Sequence, residues 1–359
     1  MSDAYQRPPV KVALMGLGRS MLTEHICFYR EHPNLFKVVC ACDTSKERRD
    51  LVEKTFPECR MFRRYDEMLD ERDIELVDIA SCTNDHVKHA MASLKRGYWT
   101  LLETPMALTF DEAQVLRGQV LKANNRLIVL QRGLSDPDYL LVKQMMTDPR
   151  LGRIYGVRVR KEDFVRRDDW QAVNRLGGGA SYYVMTDMLL QTLKMLPSPP
   201  VQMWSELKRI ASLGDAEDYA HVIFKTREQI TADIDFNGGV LSQNRGPSFV
   251  IRGDRGEFSV MPGASEGRLV VVNPDYKFPR RRSSVRQPPL EDLHEEFPVL
   301  ETTVSLLTDL PTGPEVFWRQ LYLTVRTAAP FPITADDSMM AIKFVHLMKK
   351  TSTFGKGHF

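Results

Sequence analysis

The stretch Leu76–Leu108, LVDIASCTNDHVKHAMASLKRGYWTLLETPMAL, reads as strand, turn, helix, strand, turn. Leu76–Ala80 and Trp99–Leu102 are apolar runs of strand length. Between them Asn84–Arg96 carries Val87, Ala90, Met91 and Leu94 at helical spacing, and Gly97 is placed to stop the helix. A strand, helix and strand with short connections form parallel strands and a right-handed crossover. In such sheets ligands sit beyond the carboxyl ends of the strands. Those ends carry Ser81, Thr83 and Asn84 after the first strand, and Glu103, Thr104 and Pro105 after the second.

Working outward, Val10–Met15 is an apolar strand that runs into Gly16-Leu17-Gly18-Arg19 and a helix over Ser20–Glu31. That context suits a dinucleotide fingerprint. The first glycine permits the tight turn, and the second lets backbone approach a pyrophosphate at the helix N-terminus. The third glycine of the pattern would fall at Met21, so the fingerprint is incomplete. Phe36–Cys42 is the next strand and ends in Asp43, 25 residues beyond Gly18. A carboxylate there accepts from ribose hydroxyls and repels a 2′-phosphate, which favours NAD over NADP. Lys46, Arg48 and Arg49 follow at once and read as a solvated helix face.

Asp50–Phe56 completes a helix, Tyr65–Leu69 forms a short one, and a helix over Phe110–Asn124 begins near Thr109. Arg126–Gln131 is another apolar strand. The repeated βα units predict a doubly wound parallel sheet over residues 1–132. Residues 133–359 read as a second α/β domain. A helix spans Asp136–Met146, a strand Tyr155–Phe164, and a helix runs from Gly177-Gly178-Gly179 to Leu196. Strand-like runs follow at Val201–Leu207, Ala220–Lys225, Ile230–Phe236, Phe249–Arg252, Glu257–Val260 and Arg268–Val272. They predict a large, mainly antiparallel open sheet, a surface suited to homodimers or homotetramers. Glu315–Ala328 and Ala335–Lys350 are the closing helices.

Hydrophobic content of 43% and charge of 27% are those of a soluble globular protein. Forty-nine basic and 47 acidic residues leave a net charge of +2, which argues against nucleic-acid or membrane partners. The basic run Lys277–Arg286 reads as a solvated loop. No apolar run reaches the roughly 18–20 residues of a membrane span. MSDAYQRPPV lacks the apolar centre of a signal peptide, and the five cysteines (27, 40, 42, 59 and 82) have no metal-ligand spacing. A cytoplasmic protein with buried thiols and no metal is expected.

Several stretches resemble one family in order along nearly the whole chain: VALMGLGRS, Thr83-Asn84-Asp85-His86, LLETPMALTFDEA, LGRIYGV, GGGASYY and LYLTVRTAAPFPITADDSMMAIKFV. They look like the glucose–fructose oxidoreductase / inositol dehydrogenase (Gfo/Idh/MocA) family. The resemblance implies a Rossmann domain followed by an α/β domain, and NAD(P)-dependent oxidation or reduction of a sugar, cyclitol or related polyol. It places Gly16, Gly18, Arg19, Asp43, Thr83, Asn84, His86 and Glu103 at the cofactor. The family's second turn usually reads Glu-Lys-Pro, whereas this chain has Glu103-Thr104-Pro105. Its GGG helix usually carries an Asp and, four residues on, a His. Those positions hold Tyr183 and Asp187.

Removing a carbinol hydride requires a base for the hydroxyl proton. Thr104 cannot serve at neutral pH. Asp187 can, given a burial that raises its pKa, and Tyr183 can relay a proton. The candidates for catalysis are Asp187 and Tyr183, with Thr104 at the position of the family's lysine. Arg132, Lys161, Tyr183 and Asp187, with Arg166 and Arg167, are candidates for substrate contact. Two other functions compete with the oxidoreductase: a non-catalytic cofactor- or sugar-binding relative, and a lyase or hydrolase that uses NAD transiently.

Overall fold

The computed structural model describes residues 7–278, 297–307 and 311–354. Six parallel strands form the first sheet in the order β3-β2-β1-β4-β5-β6. They are β1 (Val10–Met15), β2 (Phe36–Cys42), β3 (Arg60–Phe62), β4 (Leu76–Ile79), β5 (Trp99–Leu102) and β6 (Leu127–Val129). β4 and β6 are buried at every residue, as strands covered by helices on both faces must be. The strand order reverses between β1 and β4, so the loops after these two strands diverge and open a crevice there.

Five helices belong to this sheet: α1 (Ile26–Glu31), α2 (Lys46–Thr55), α3 (Tyr65–Leu69), α4 (His86–Lys95) and α5 (Phe110–Lys122). α1 continues a π turn over Met21–His25. Met21, where the fingerprint's third glycine would stand, is fully buried and opens that wide turn. Ser45 caps α2, and Thr109 with Glu112 forms a capping box on α5.

α6 (Pro137–Met145) leads into an eight-stranded sheet ordered β14-β13-β12-β11-β7-β10-β9-β8. The strands are β7 (Ile154–Glu162), β8 (Gln202–Lys208), β9 (Tyr219–Lys225), β10 (Thr231–Asn237), β11 (Phe249–Gly253), β12 (Gly256–Val260), β13 (Glu266–Val272) and β14 (Val299–Ser305). All pairs are antiparallel except β7 with β10. Alternate residues such as Val157, Val159, Ile234 and Phe236 bury one face. The other face carries cross-strand charges, with Arg158 and His221 both on Asp233.

The helix expected from Gly177 to Leu196 is two helices, α7 (Ala180–Tyr183) and α8 (Met185–Met195), with the break at Val184. The closing helices are α9 (Pro314–Thr327) and α10 (Ala335–Thr351). α9 returns to the first sheet's core through Phe317, Trp318, Leu321 and Tyr322. α10 lies against α5 and α8, one from each half of the chain. Lys277 and Phe278 begin the basic run, and its remaining residues lie outside the described ones. Among the described residues no helix is long and apolar enough to cross a membrane. All five cysteines are free thiols. Burial pushes Cys40, Cys42 and Cys59 up to about 12, so they stay protonated and inert at neutral pH.

Candidate active site

The glycine loop lies at the switch point. Gly16 has φ +84°, and a Cβ there would stand 2.6 Å from the Ser81 nitrogen, so only glycine fits between the loops after β1 and β4. Gly18 differs. A Cβ there would meet only the Ala80 carbonyl oxygen, at 3.8 Å. No protein neighbour explains this glycine, and the space before it, at a helix N-terminus, is the room a pyrophosphate needs. Asp43 closes the loop from the end of β2. Its Oδ2 accepts the Leu17 N–H at 2.8 Å and its Oδ1 the Ser45 N–H at 2.8 Å. Arg48 stands 3.7 Å from Oδ2. Arg19 is exposed on the loop, with Asp169 of the second domain in its electrostatic reach.

The turns after β4 and β5 are tied together. Thr83 and Asn84 lie in a 3-10 turn, Thr83–Asp85, before α4. Thr83 is buried beneath Gly177, where a Cβ would come within 2.9 Å of its own. His86 is buried, with Nδ1 2.8 Å from the Pro105 carbonyl and Nε2 2.9 Å from the Ser81 carbonyl. Burial pulls its pKa below the usual value, against the pull of those carbonyls. His86 is thus a strut between the turns after β4 and β5.

Glu103 belongs to a network that the sequence reading did not find. Its Oε1 accepts from Ser20 Oγ at 2.5 Å and lies 3.0 Å from His25 Nε2. Its Oε2 accepts the Thr104 N–H at 3.2 Å. His25 Nδ1 is 2.7 Å from Asp78 Oδ2, which also accepts from the Tyr29 hydroxyl at 2.7 Å. One signal pointed there: Asp78 is a charged residue inside the wholly buried strand LVDI.

Beyond these edges a cleft of about 370 Å³ lies between the junction and the second sheet. Arg132, Asp136, Lys161, Tyr183, Asp187 and Arg245 line it. Arg132 also pairs with Glu24 and stands 3.9 Å from Glu103. Asp187 projects from α8, and its Oδ1 is shut from solvent with no hydrogen-bond partner. Burial pushes its carboxyl up to about 7. Lys161 and Arg132 oppose that rise, and Glu103 and Asp136 reinforce it.

A model of the oxidoreductase family with an NAD-binding Rossmann fold matches residues 10–131, and the GFO/IDH/MocA C-terminal domain matches residues 139–259. The chain belongs to the Gfo/Idh/MocA family. Among similar proteins, scyllo-inositol 2-dehydrogenase (NADP(+)) IolW of Bacillus subtilis is 23% identical, over 96% of this chain and 94% of its own. An uncharacterized oxidoreductase of Schizosaccharomyces pombe is 27% identical over 70% of each chain. Two solved structures share the fold. An NAD-binding protein from Listeria innocua has TM-score 0.80 and 18% identity, covering 96% of this chain and 98% of that one. The WlbA dehydrogenase of Chromobacterium violaceum, in complex with NADH and UDP-GlcNAcA, has TM-score 0.75 and 17% identity, covering 96% and 94%.

In this Gfo/Idh/MocA chain the three candidate catalytic residues are not equivalent. Tyr183 and Asp187 both line the cleft despite the break between α7 and α8. Thr104 does not line it. It sits in the Glu103–Pro105 turn, with Gln131 Nε2 3.4 Å from its hydroxyl. Tyr183 is half-buried edge-on to Phe236, and burial raises its pKa further. Its hydroxyl therefore stays protonated. Of the substrate candidates, Arg132 and Lys161 line the cleft, whereas Arg166 and Arg167 are not in its wall.

Proposed function

We propose that this chain oxidises or reduces a carbinol carbon of a sugar, cyclitol or related polyol, with Asp187 as the acid–base group. The partnerless Oδ1 of Asp187 in the cleft carries this reading. A carboxyl raised to about 7 is half ionised at working pH, where a general base is most effective. In the oxidative direction Asp187 takes the hydroxyl proton. Tyr183, neutral and alongside, donates a hydrogen bond to the substrate oxygen. Arg132 and Lys161 orient the remaining hydroxyls.

A nicotinamide dinucleotide fits the first domain, and when bound it supplies the hydride donor or acceptor. Gly16, Gly18 and Arg19 would hold its pyrophosphate, with Thr83 and Asn84 on the opposite edge. Each Asp43 oxygen accepts one backbone N–H, leaving a lone pair on each for the adenosine ribose. This supports NAD, and Arg48 beside the carboxylate supports some tolerance of NADP. The half-exposed Trp204, beside His221 on the outer face of the large sheet, supports self-association as a dimer or tetramer.

The test is NADH binding by the purified protein, followed by NADH formation across a panel of sugars, sugar acids and cyclitols. Binding with turnover that disappears in Asp187→Asn is expected. Binding without turnover on any substrate favours a non-catalytic relative.

A further inference from the structure

We propose that His25 is a positioning residue that, through Glu103, locks the turn after β5 to the start of the phosphate-loop helix; this rests on the reading of the chain as a nicotinamide-dependent oxidoreductase. His25 is fully buried, edge-on to Trp318 with ring centroids 5.1 Å apart. Each ring nitrogen faces a carboxylate oxygen, Asp78 at 2.7 Å and Glu103 at 3.0 Å. A ring that donates from both nitrogens is an imidazolium. Burial opposes its charge, but Asp78 and Glu103 outweigh burial and lift it to about 10. The other groups around this pair are Tyr29 on Asp78, and Ser20, Arg132, His86 and Asp187 around Glu103.

The π turn gives the ring its direction. A π turn holds one more residue than an α turn, and one residue is about 100° of helix rotation. The wide turn over Met21–His25 therefore swings His25 towards β4 and the turn after β5. Glu103 is then held by two side chains of one helix, Ser20 and His25, with Arg132 after β6 standing 3.9 Å away. Its second oxygen holds the Thr104 N–H. Burial would raise the Glu103 carboxyl, but His25 and Ser20 hold it below the usual range. Glu103 stays ionised, moves no proton, and fixes the Thr104 backbone, with the Arg132 side chain that lines the cleft 3.9 Å away. The pyrophosphate end and the reaction end of the cofactor groove thus share one carboxylate.

The experiment is a double-variant cycle on the full chain, read by NADH affinity and by kcat on a substrate found in the panel. Ser20→Ala is expected to weaken NADH binding about three- to tenfold, and Ser20→Thr to restore it. His25→Phe keeps the volume and removes both donors. It is expected to weaken binding at least tenfold and to lower kcat. The double variant should be no worse than His25→Phe, because both residues act through Glu103. Multiplying effects, or wild-type affinity in both single variants, overturn the proposal. Should His25→Phe not fold, nitrogen NMR of the wild type decides. One of the eight histidines should carry protons on both ring nitrogens at pH 8 and shift in Ser20→Ala. Neutral rings throughout overturn the proposal. A wild type that binds no NADH overturns the functional reading, while the NMR signature still reports on His25.

Discussion

Glu103 and Asp187 are both shielded carboxyl groups near the sheet's carboxyl edge, and their surroundings treat them oppositely. Glu103 has Ser20 and His25 on one oxygen and the Thr104 N–H on the other, and its pKa falls. Asp187 leaves Oδ1 without a partner, and its pKa rises to about 7. His25 and Ser20 hold the Glu103 carboxyl down against burial, whereas at Asp187 burial prevails over Lys161 and Arg132. The Glu103 side of the site is built to stay fixed. The Asp187 side holds a carboxyl that burial raises to about 7.

The largest effect that sharpens this contrast is on turnover. Asp187→Asn should lower kcat about 10²- to 10⁴-fold, the usual value of a general base, in a steady-state assay. Asp78→Ala should do the reverse: it leaves a buried imidazolium short of a partner and costs about 3–5 kcal/mol in urea unfolding. A cost below about 1 kcal/mol would show that the paired side is no strut.

A third effect separates the two carboxyls by sign. The Asp187 pKa is about 7 folded, above its unfolded value near 3.9, so the folded chain holds a proton that the unfolded chain releases. Stability contributed by the protonated carboxyl is present at low pH and lost as pH rises through 7. Asp187→Asn should therefore stabilise the fold at pH 8, by on the order of 4 kcal/mol at most, and have little effect at pH 4. Thermal scans at both pH values check it. The smallest effect is that of Lys161→Met, which removes the strongest charge opposing the rise. It should move the Asp187 midpoint, followed by carboxyl ¹³C NMR, upward by less than about one unit.

Much of the fold was legible because its strands are apolar runs and its turns carry glycine. β3 and β14 were missed for physical reasons. β3 is three residues long, and β14 is an exposed edge strand, VLETTVS, with no apolar face to give it a pattern. The break at Val184 was hidden too, since helical spacing continues through it. Asp187 was legible as a candidate, but its missing partner was not, because burial is a tertiary property. His25 was invisible because its partners lie 53 and 78 residues away, at the ends of a path that only the folded sheet and its π turn create.

The most direct test is NADH formation by the wild type and Asp187→Asn across the sugar, sugar-acid and cyclitol panel, with kcat/KM followed from pH 5 to pH 9. The account predicts that oxidation rises through an apparent pKa near 7, that reduction falls through the same value, and that the Asn variant loses the transition along with the rate. Turnover in Asp187→Asn at the wild-type rate, with the pH transition intact, would contradict it.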